Sequence, residues 1–403
     1  MNSALIGRDI EAAVDALRDR AISVSRQIHD NPELGFQEHR ASTLLAQWLR
    51  DEGFAVETGS AGLTTAFVAS YGSGAPRIAV MAEYDALPGL GHGCAHNLIA
   101  AGGVTAGIAI KRAMMAARLP GTLLVIGTPG EEGQGGKVTM LERGVFDGVQ
   151  AALMFHPSDR TFVDRHMLAC IHVNVSFRGV AAHAAKNPQD GRNALAAMIA
   201  FFNGIDALRQ HISPRARIHG VITNGGAAAN VIPDHTQAEF YVRDATLAEA
   251  SVLLERVRAC ADGAALMTGT EVDVESSAPY AQLSPNRTIA GVMGTYLTAL
   301  GYPPGVASPT DAAGSTDAGN VSLALPTIHP FIQIAPVGTP LHSTDFREAA
   351  VTRSAHEAML AASCALAAVG LDLITDPDLL NRAAAEFSAT AGDELAYADP
   401  AVR

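Results

Sequence analysis

The sequence lacks an apolar run long enough to cross a bilayer. Its longest runs, residues 98–110 and 358–371, fall short of the ~20 residues a span requires and read as buried helices. Positive charge is scarce: 28 Lys and Arg against 41 Asp and Glu leave a formal charge of −13. Without a positive field the chain is a poor partner for nucleic acid. Cysteine is scarce too. Cys94, Cys170, Cys260 and Cys364 lie far apart, which argues against a disulfide framework and for reduced thiols. No G-x-S-x-G nucleophile elbow exists, and after Gly89-Leu90-Gly91 the place of a dinucleotide loop's third glycine is Cys94. The first amphipathic stretch carries Arg8, Asp9, Glu11 and Asp15, so it does not read as a signal peptide, and no internal repeat is visible. What the chain does have is 48% hydrophobic and 17% charged residues, enough for a large core. At roughly 150 residues per domain, the expectation is a cytoplasmic α/β protein of two or three domains, with no nucleic-acid or membrane partner.

Helical periodicity covers residues 10–30 and 38–52, and a long Gly- and Ala-rich helix is expected over 98–115. Short apolar runs at 78–82, 122–128 and 151–155 read as buried strands. Strands alternating with helices predict a mainly parallel sheet flanked by helices. From about Cys170 the texture changes. Strands near 171–177, 217–223, 235–242 and 271–276, with helices over 191–211 and 246–266, make a β-α-β-β-α-β order. That is a ferredoxin-like unit. After Pro279 a helix at 286–300, an apolar segment at 327–334 and a closing helix over 346–371 resume the first texture, and a polar helical segment follows. The predicted division is a catalytic domain in two parts, 1–169 and 283–403, with a lid over 170–282.

Functional groups in open α/β sheets gather beyond the carboxyl ends of the strands. Here the first strand runs into Glu83-Tyr84-Asp85, the second into Glu131-Glu132 and the third into His156-Pro157. Any one of these alone is an ordinary surface turn. Three in succession, with Cys94 and His96 opening the intervening helix, assemble the thiolate, imidazole and carboxylate donors of zinc or a similar divalent ion. Cys94 and His96 can reach one ion or two adjacent ones. Of the adjacent glutamates, held in a tight loop between Gly130 and Gly133, one can ligate while its neighbour acts as general base.

The motifs Ala82-Glu83-Tyr84-Asp85-Ala86-Leu87-Pro88-Gly89, Gly91-His92-Gly93-Cys94-Ala95-His96-Asn97, Gly127-Thr128-Pro129-Gly130-Glu131-Glu132-Gly133 and Met154-Phe155-His156-Pro157 resemble the M20 metallopeptidase/amidohydrolase family, in its aminoacylase-like and aminobenzoyl-glutamate-hydrolase-like branch. The likeness continues through Phe177–Ala185, Asn230-Val231-Ile232-Pro233 and Leu341-His342-Ser343 and covers essentially the whole chain. It implies two divalent ions per subunit, zinc or manganese, with cobalt a third option. Cys94 would bridge them, His96, Glu132, His156 and His342 would be terminal ligands, and Glu131 the general base. Asp85 would orient a ligand, and Glu83 falls where other branches carry a metal-ligating His. The resemblance also implies a homodimer through the lid. His183 would reach the partner subunit's site as an oxyanion donor, and Asn230 and Arg243 would hold the substrate's carboxylate or developing charge. Two residues depart from the pattern. Ala95 stands where relatives have Gly, so the loop is strained or shifted if that position needs φ > 0. Asn97 replaces an Asp found in many members of the branch.

The leading functional expectation is metal-dependent hydrolysis of an N-acyl amino acid or small dipeptide-like substrate. A second reading uses the same site for hydrolytic deamination of an unusual, aromatic amine. A third is a non-catalytic or partner-dependent subunit. Residues 307–320, His329 and 338–340 are expected to line the acyl or leaving-group side.

Overall fold

The computed structural model describes residues 3–307 and 314–398. Among them the chain forms two compact units: residues 3–166, 283–307 and 317–396 in the first, Met167–Gln282 with Gly314–Thr316 in the second. The first unit is built on a six-stranded sheet in the order Ala55–Thr58, Phe67–Ser73, Gly121–Gly127, Arg77–Ala82, Ala151–Leu153, Thr327–Ile328. The last four strands are parallel, and the first two add an antiparallel edge. The three strands expected from apolar runs are neighbours, since Ala79 pairs with Leu124 on one side and Ala152 on the other. Their unbroken hydrophobicity follows from burial on both faces. The sequence pattern does not announce the two edge strands. They are partly exposed, and Ser70, Gly72 and Ser73 blur any alternation.

Four expected elements prove to be broken. The strand over 151–155 stops at Leu153, and the segment 327–334 stops at Ile328. Both resume in a separate parallel pair, His156–Ser158 with Phe331–Gln333. Across the gap the Met154 N–H still donates to the Ile328 carbonyl at 3.2 Å and the His156 N–H to the Pro330 carbonyl at 2.8 Å, but Pro330 has no N–H to return. The closing helix divides into Thr344–Ala349 and Arg353–Thr375, because the Thr352 hydroxyl accepts the N–H of Ala355 and caps a fresh helix. The first helical stretch is likewise two helices, Ser3–Asp15 and Arg18–Asp30.

The helices His96–Ala117 and Arg353–Thr375 pack on one another and are buried along most of their length. The first lies close on the sheet because it has glycine where it touches. A Cβ on Gly107 would stand 2.2 Å from Val125 Cγ2, and one on Gly103 would stand 2.9 Å from the Met81 carbonyl oxygen.

The second unit is the βαββαβ fold, with strands in the order Glu271–Ser276, Ala169–Arg178, His235–Asp244, Arg217–Asn224, all antiparallel. Helices Ala194–Arg209 and Leu247–Thr268 cover one face around Phe177, Phe201, Phe240 and Val257. Thr246 and Glu249 form a capping box at the start of the second helix.

Gly107→Ala gains about 1 kcal/mol of helix propensity but overpacks against a stiff strand valine at about 1–3 kcal/mol. The expected outcome is a net loss of stability, read as a lower urea midpoint with unchanged m-value.

Candidate metal centre

Parallel pairing sends the ends of three adjacent strands to one edge of the sheet, and the candidate residues collect there. Glu83 and Asp85 follow Arg77–Ala82, Glu131 and Glu132 lie in the turn after Gly121–Gly127, and His156 begins the strand after Leu153. Cys94 and His96 come from the loop that opens the long helix. His342 is tied to that loop by its own N–H, which donates to the Gly93 carbonyl at 3.0 Å. His342 Nε2 lies 2.8 Å from Cys94 Sγ and 3.6 Å from Glu132 Oε1. Donor atoms of Cys94, His96 and His156 lie within 4.8 Å of one another, and so do those of Cys94, Glu132 and His342. The two sets share only the thiol. A third set joins His96, Glu131 and Glu132 at the same limit.

Asp85 holds two of these groups in place: Oδ1 faces His96 Nδ1 at 3.2 Å, and Oδ2 accepts the N–H of Glu132 at 2.8 Å. Against the pull of burial, these bonds keep the Asp85 carboxyl below its usual range. His156 Nδ1 sits 2.6 Å from the Pro157 carbonyl, which can only accept, so its proton is on Nδ1 and Nε2 keeps the lone pair. Burial, with His329 beside it, lowers the His156 pKa to about 3. Burial opposes charge on His96 as well, yet Glu83, Asp85 and Glu132 outweigh it and raise the pKa well above 6.5. Burial and then Glu83, Glu132 and Asp317 push the Glu131 carboxyl far up.

The donors fit a pair of divalent ions. His96 Nε2 and Glu132 Oε1 are enclosed, lack any hydrogen-bond partner, and stand 3.9 Å apart. Such atoms cost about 1–3 kcal/mol each unless something meets them. The loop also carries strain: Ala95 (φ 59°) and His342 (φ 59°) are two of five non-glycine residues with positive φ among the described residues. The left-handed conformation costs roughly 1–2 kcal/mol. Burying the Ala95 methyl offsets about 0.8 kcal/mol of it.

The structure also brings in Lys137, which sequence reasoning did not single out. Lys137, wholly buried, bonds Glu83 and Asp317. A lysine after two glycines at a helix start reads as a solvated charge, so no local signal marks it. His329 is buried with both ring nitrogens unpartnered, 5.5 Å from the His156 ring. Of residues 307–320, those numbered 308–313 lie outside the described ones; Gly338 donates its N–H to Asp159 at 2.8 Å. Glu38 supports the Glu131 loop, accepting the N–H of Gly130 and the hydroxyl of Thr65, both at 2.8 Å.

In the lid unit His183 and Asn230 lie together, since the Ala184 N–H donates to the Asn230 carbonyl at 3.0 Å. His183 Nδ1 accepts the N–H groups of Ala185 and Lys186, both at 3.2 Å. Its proton is therefore on Nε2, turned away as a donor. Arg243 is elsewhere: it pairs with Cys170 at one end of the sheet, while Arg178 and His235, near His183, pair at the other. Eight residues of strand separate these ends by roughly 26 Å. Arg243 bonds Ser315 Oγ at 2.7 Å and lies over the Tyr241 ring.

The comparisons with known proteins agree with this architecture. The family model for the peptidase dimerisation domain, M20_dimer, matches residues 168–267. The chain is 36% identical to the Xaa-Arg dipeptidase of Mus musculus, covering 97% of this chain and 94% of that one. This chain belongs to the M20 family. It is a peptidase/amidohydrolase, an enzyme acting on C–N bonds. The M20 chain is also 33% identical to one of the two p-aminobenzoyl-glutamate hydrolase chains of Escherichia coli (strain K12), covering 94% of each. A dinuclear metal-binding M20 peptidase from Bacillus subtilis shares the fold, with TM-score 0.65 and 22% identity over 90% of this chain and 99% of that one.

Burial pushes the Glu38 carboxyl up to about 7 from its ordinary 4.5. Between those values the folded chain holds a proton that the unfolded chain has lost, so stability falls as pH rises. Relative to wild type, Glu38→Gln is expected to change little near pH 4.5 and to gain up to about 3 kcal/mol by pH 8. Urea midpoints of the two proteins at both pH values check this.

Proposed function

We propose that this M20 enzyme hydrolyses the amide bond of an N-acyl amino acid or small dipeptide with the help of two divalent ions, zinc or manganese, with cobalt a third option. The observation that carries the reading is the meeting of two donor sets, Cys94/His96/His156 and Cys94/Glu132/His342, at one thiol. Divalent ions bound there supply Lewis-acid polarisation of the substrate carbonyl and make a water molecule more acidic. The chain's own residues do the rest. Glu131 accepts the water's proton as its oxygen bonds to the carbonyl carbon, then delivers that proton to the amine nitrogen as the C–N bond breaks. Asp85 holds His96 and the Glu132 amide in register for the ions. The Nε2–H of His183 donates to the developing oxyanion.

The 26 Å between the two ends of the lid sheet bears on assembly. One lid cannot offer both Asn230 and Arg243 to one small substrate. A homodimer through the lid, in which these groups and His183 come from different chains, meets that requirement. Xaa-Arg dipeptides and p-aminobenzoyl-glutamate both carry an amino acid joined through its amine, and a free carboxylate there suits Arg243. A second assembly reading, with an unlike partner chain, is favoured by the E. coli relative, whose name makes it one of two unlike chains of its enzyme.

A panel of acyl-amino acids and dipeptides, with protein of known metal content, tests the proposal when released amino acid and ammonia are both measured. Release of amino acid without ammonia is expected, and ammonia alone would favour deamination. Glu131→Gln should lower kcat by about 10²–10⁴. His183→Ala should be nearly as impaired, and mixing the two variants should restore part of the activity through hybrid dimers. A Glu131→Gln protein with full metal-dependent turnover would sink the assignment.

A further inference from the structure

The Lys137 side chain is completely enclosed, a costly place for an ammonium unless it is paired and hydrogen-bonded. It is both. Nζ donates to Glu83 Oε2 at 2.6 Å and to Asp317 Oδ1 at 2.7 Å, and the Lys137 backbone N–H donates to Asp317 Oδ2 at 2.9 Å. These bonds fix Glu83 by one oxygen and leave the other over. Glu83 Oε1 is buried, has no partner, and stands 3.5 Å from His96 Nε2, which has none either. Both atoms are enclosed and face one another without a hydrogen bond, beside the thiol and imidazole donors of Cys94 and His156.

We propose that Lys137 is a positioning residue for the divalent ion on the Cys94/His96/His156 side, acting through Glu83. The inference rests on the metal-dependent reading above. Lys137 holds one oxygen of Glu83 and leaves the spare one turned toward that ion, either as a ligand or through a bridging water. Among the described residues Lys137, Glu83 and Asp317 form no hydrogen bond or ion pair with Cys94, Glu132 or His342, so the ion on that side is expected to feel their loss less. Residues that hold metal ligands in place change affinity by about 10–100-fold when replaced.

Metal-free wild type, Lys137→Met and Glu83→Gln are titrated with Co²⁺, with bound metal counted by mass spectrometry and the thiolate-to-cobalt absorption followed. Wild type is expected to take two ions. Each variant is expected to keep one ion with the thiolate band, while the second weakens by about 10–100-fold. Variants that bind both ions within threefold of wild type overturn the proposal. So does equal weakening of both ions, because that marks a general effect on the fold. If Lys137→Met does not fold, Glu83→Gln decides, since its amide oxygen still accepts from Lys137 while the anion is gone. Wild type that binds no divalent ion overturns the metal reading and this inference together. Two undiminished ions in every protein overturn only the inference.

Discussion

Everything at the candidate site hangs on the parallel pairing of Gly121–Gly127, Arg77–Ala82 and Ala151–Leu153. Parallel strands all leave the sheet at the same edge, so residues far apart in sequence arrive as neighbours. The pairing in turn needs both faces covered. The His96–Ala117 helix does this on one side and carries His96 as its first residue, so the same packing that buries the sheet seats a donor of the candidate site. Glycines at 103 and 107 let that helix approach the strands closely.

The cost of the arrangement is electrostatic. Glu83, Asp85, Glu131, Glu132 and Asp317 crowd one buried region, and a thiol joins them. Lys137 offsets part of this charge. Burial would raise the Glu83 pKa, yet Lys137 and then His96, His156 and His329 hold it down to about 2. Burial first, and then the neighbouring carboxylates, drive the Glu131 carboxyl well up. Divalent cations bound among these groups would relieve what one ammonium leaves.

Local strain falls in the same place. Ala95 and His342 both adopt left-handed conformations, and the two segments are joined through the Gly93 carbonyl. Strain of this kind persists only where the surroundings over-determine the backbone, as around a ligand loop. In the lid unit the backbone instead sets a proton: two N–H groups fix the tautomer of His183. Neither feature involves an unusual residue type.

The order of chemistry-bearing motifs, the central strands and the β-α-β-β-α-β unit were legible in the sequence, because burial on both faces or on alternate positions leaves a pattern in composition. Cys94, His96, Glu131, Glu132 and His156 were legible for a related reason, as each stands directly beyond a strand or at a helix start. Pro330 and Thr352 were visible as residues but not as boundaries, since a proline or a threonine ends an element only if its neighbours offer the chain another course. The edge strands, the role of Lys137, the enclosure of His329 and the distance between Asn230 and Arg243 were decided by the tertiary structure alone. A lysine is an ordinary surface charge until the fold buries two carboxylates around it. Which charges meet is a property of strand order and helix packing, and no window of sequence contains that.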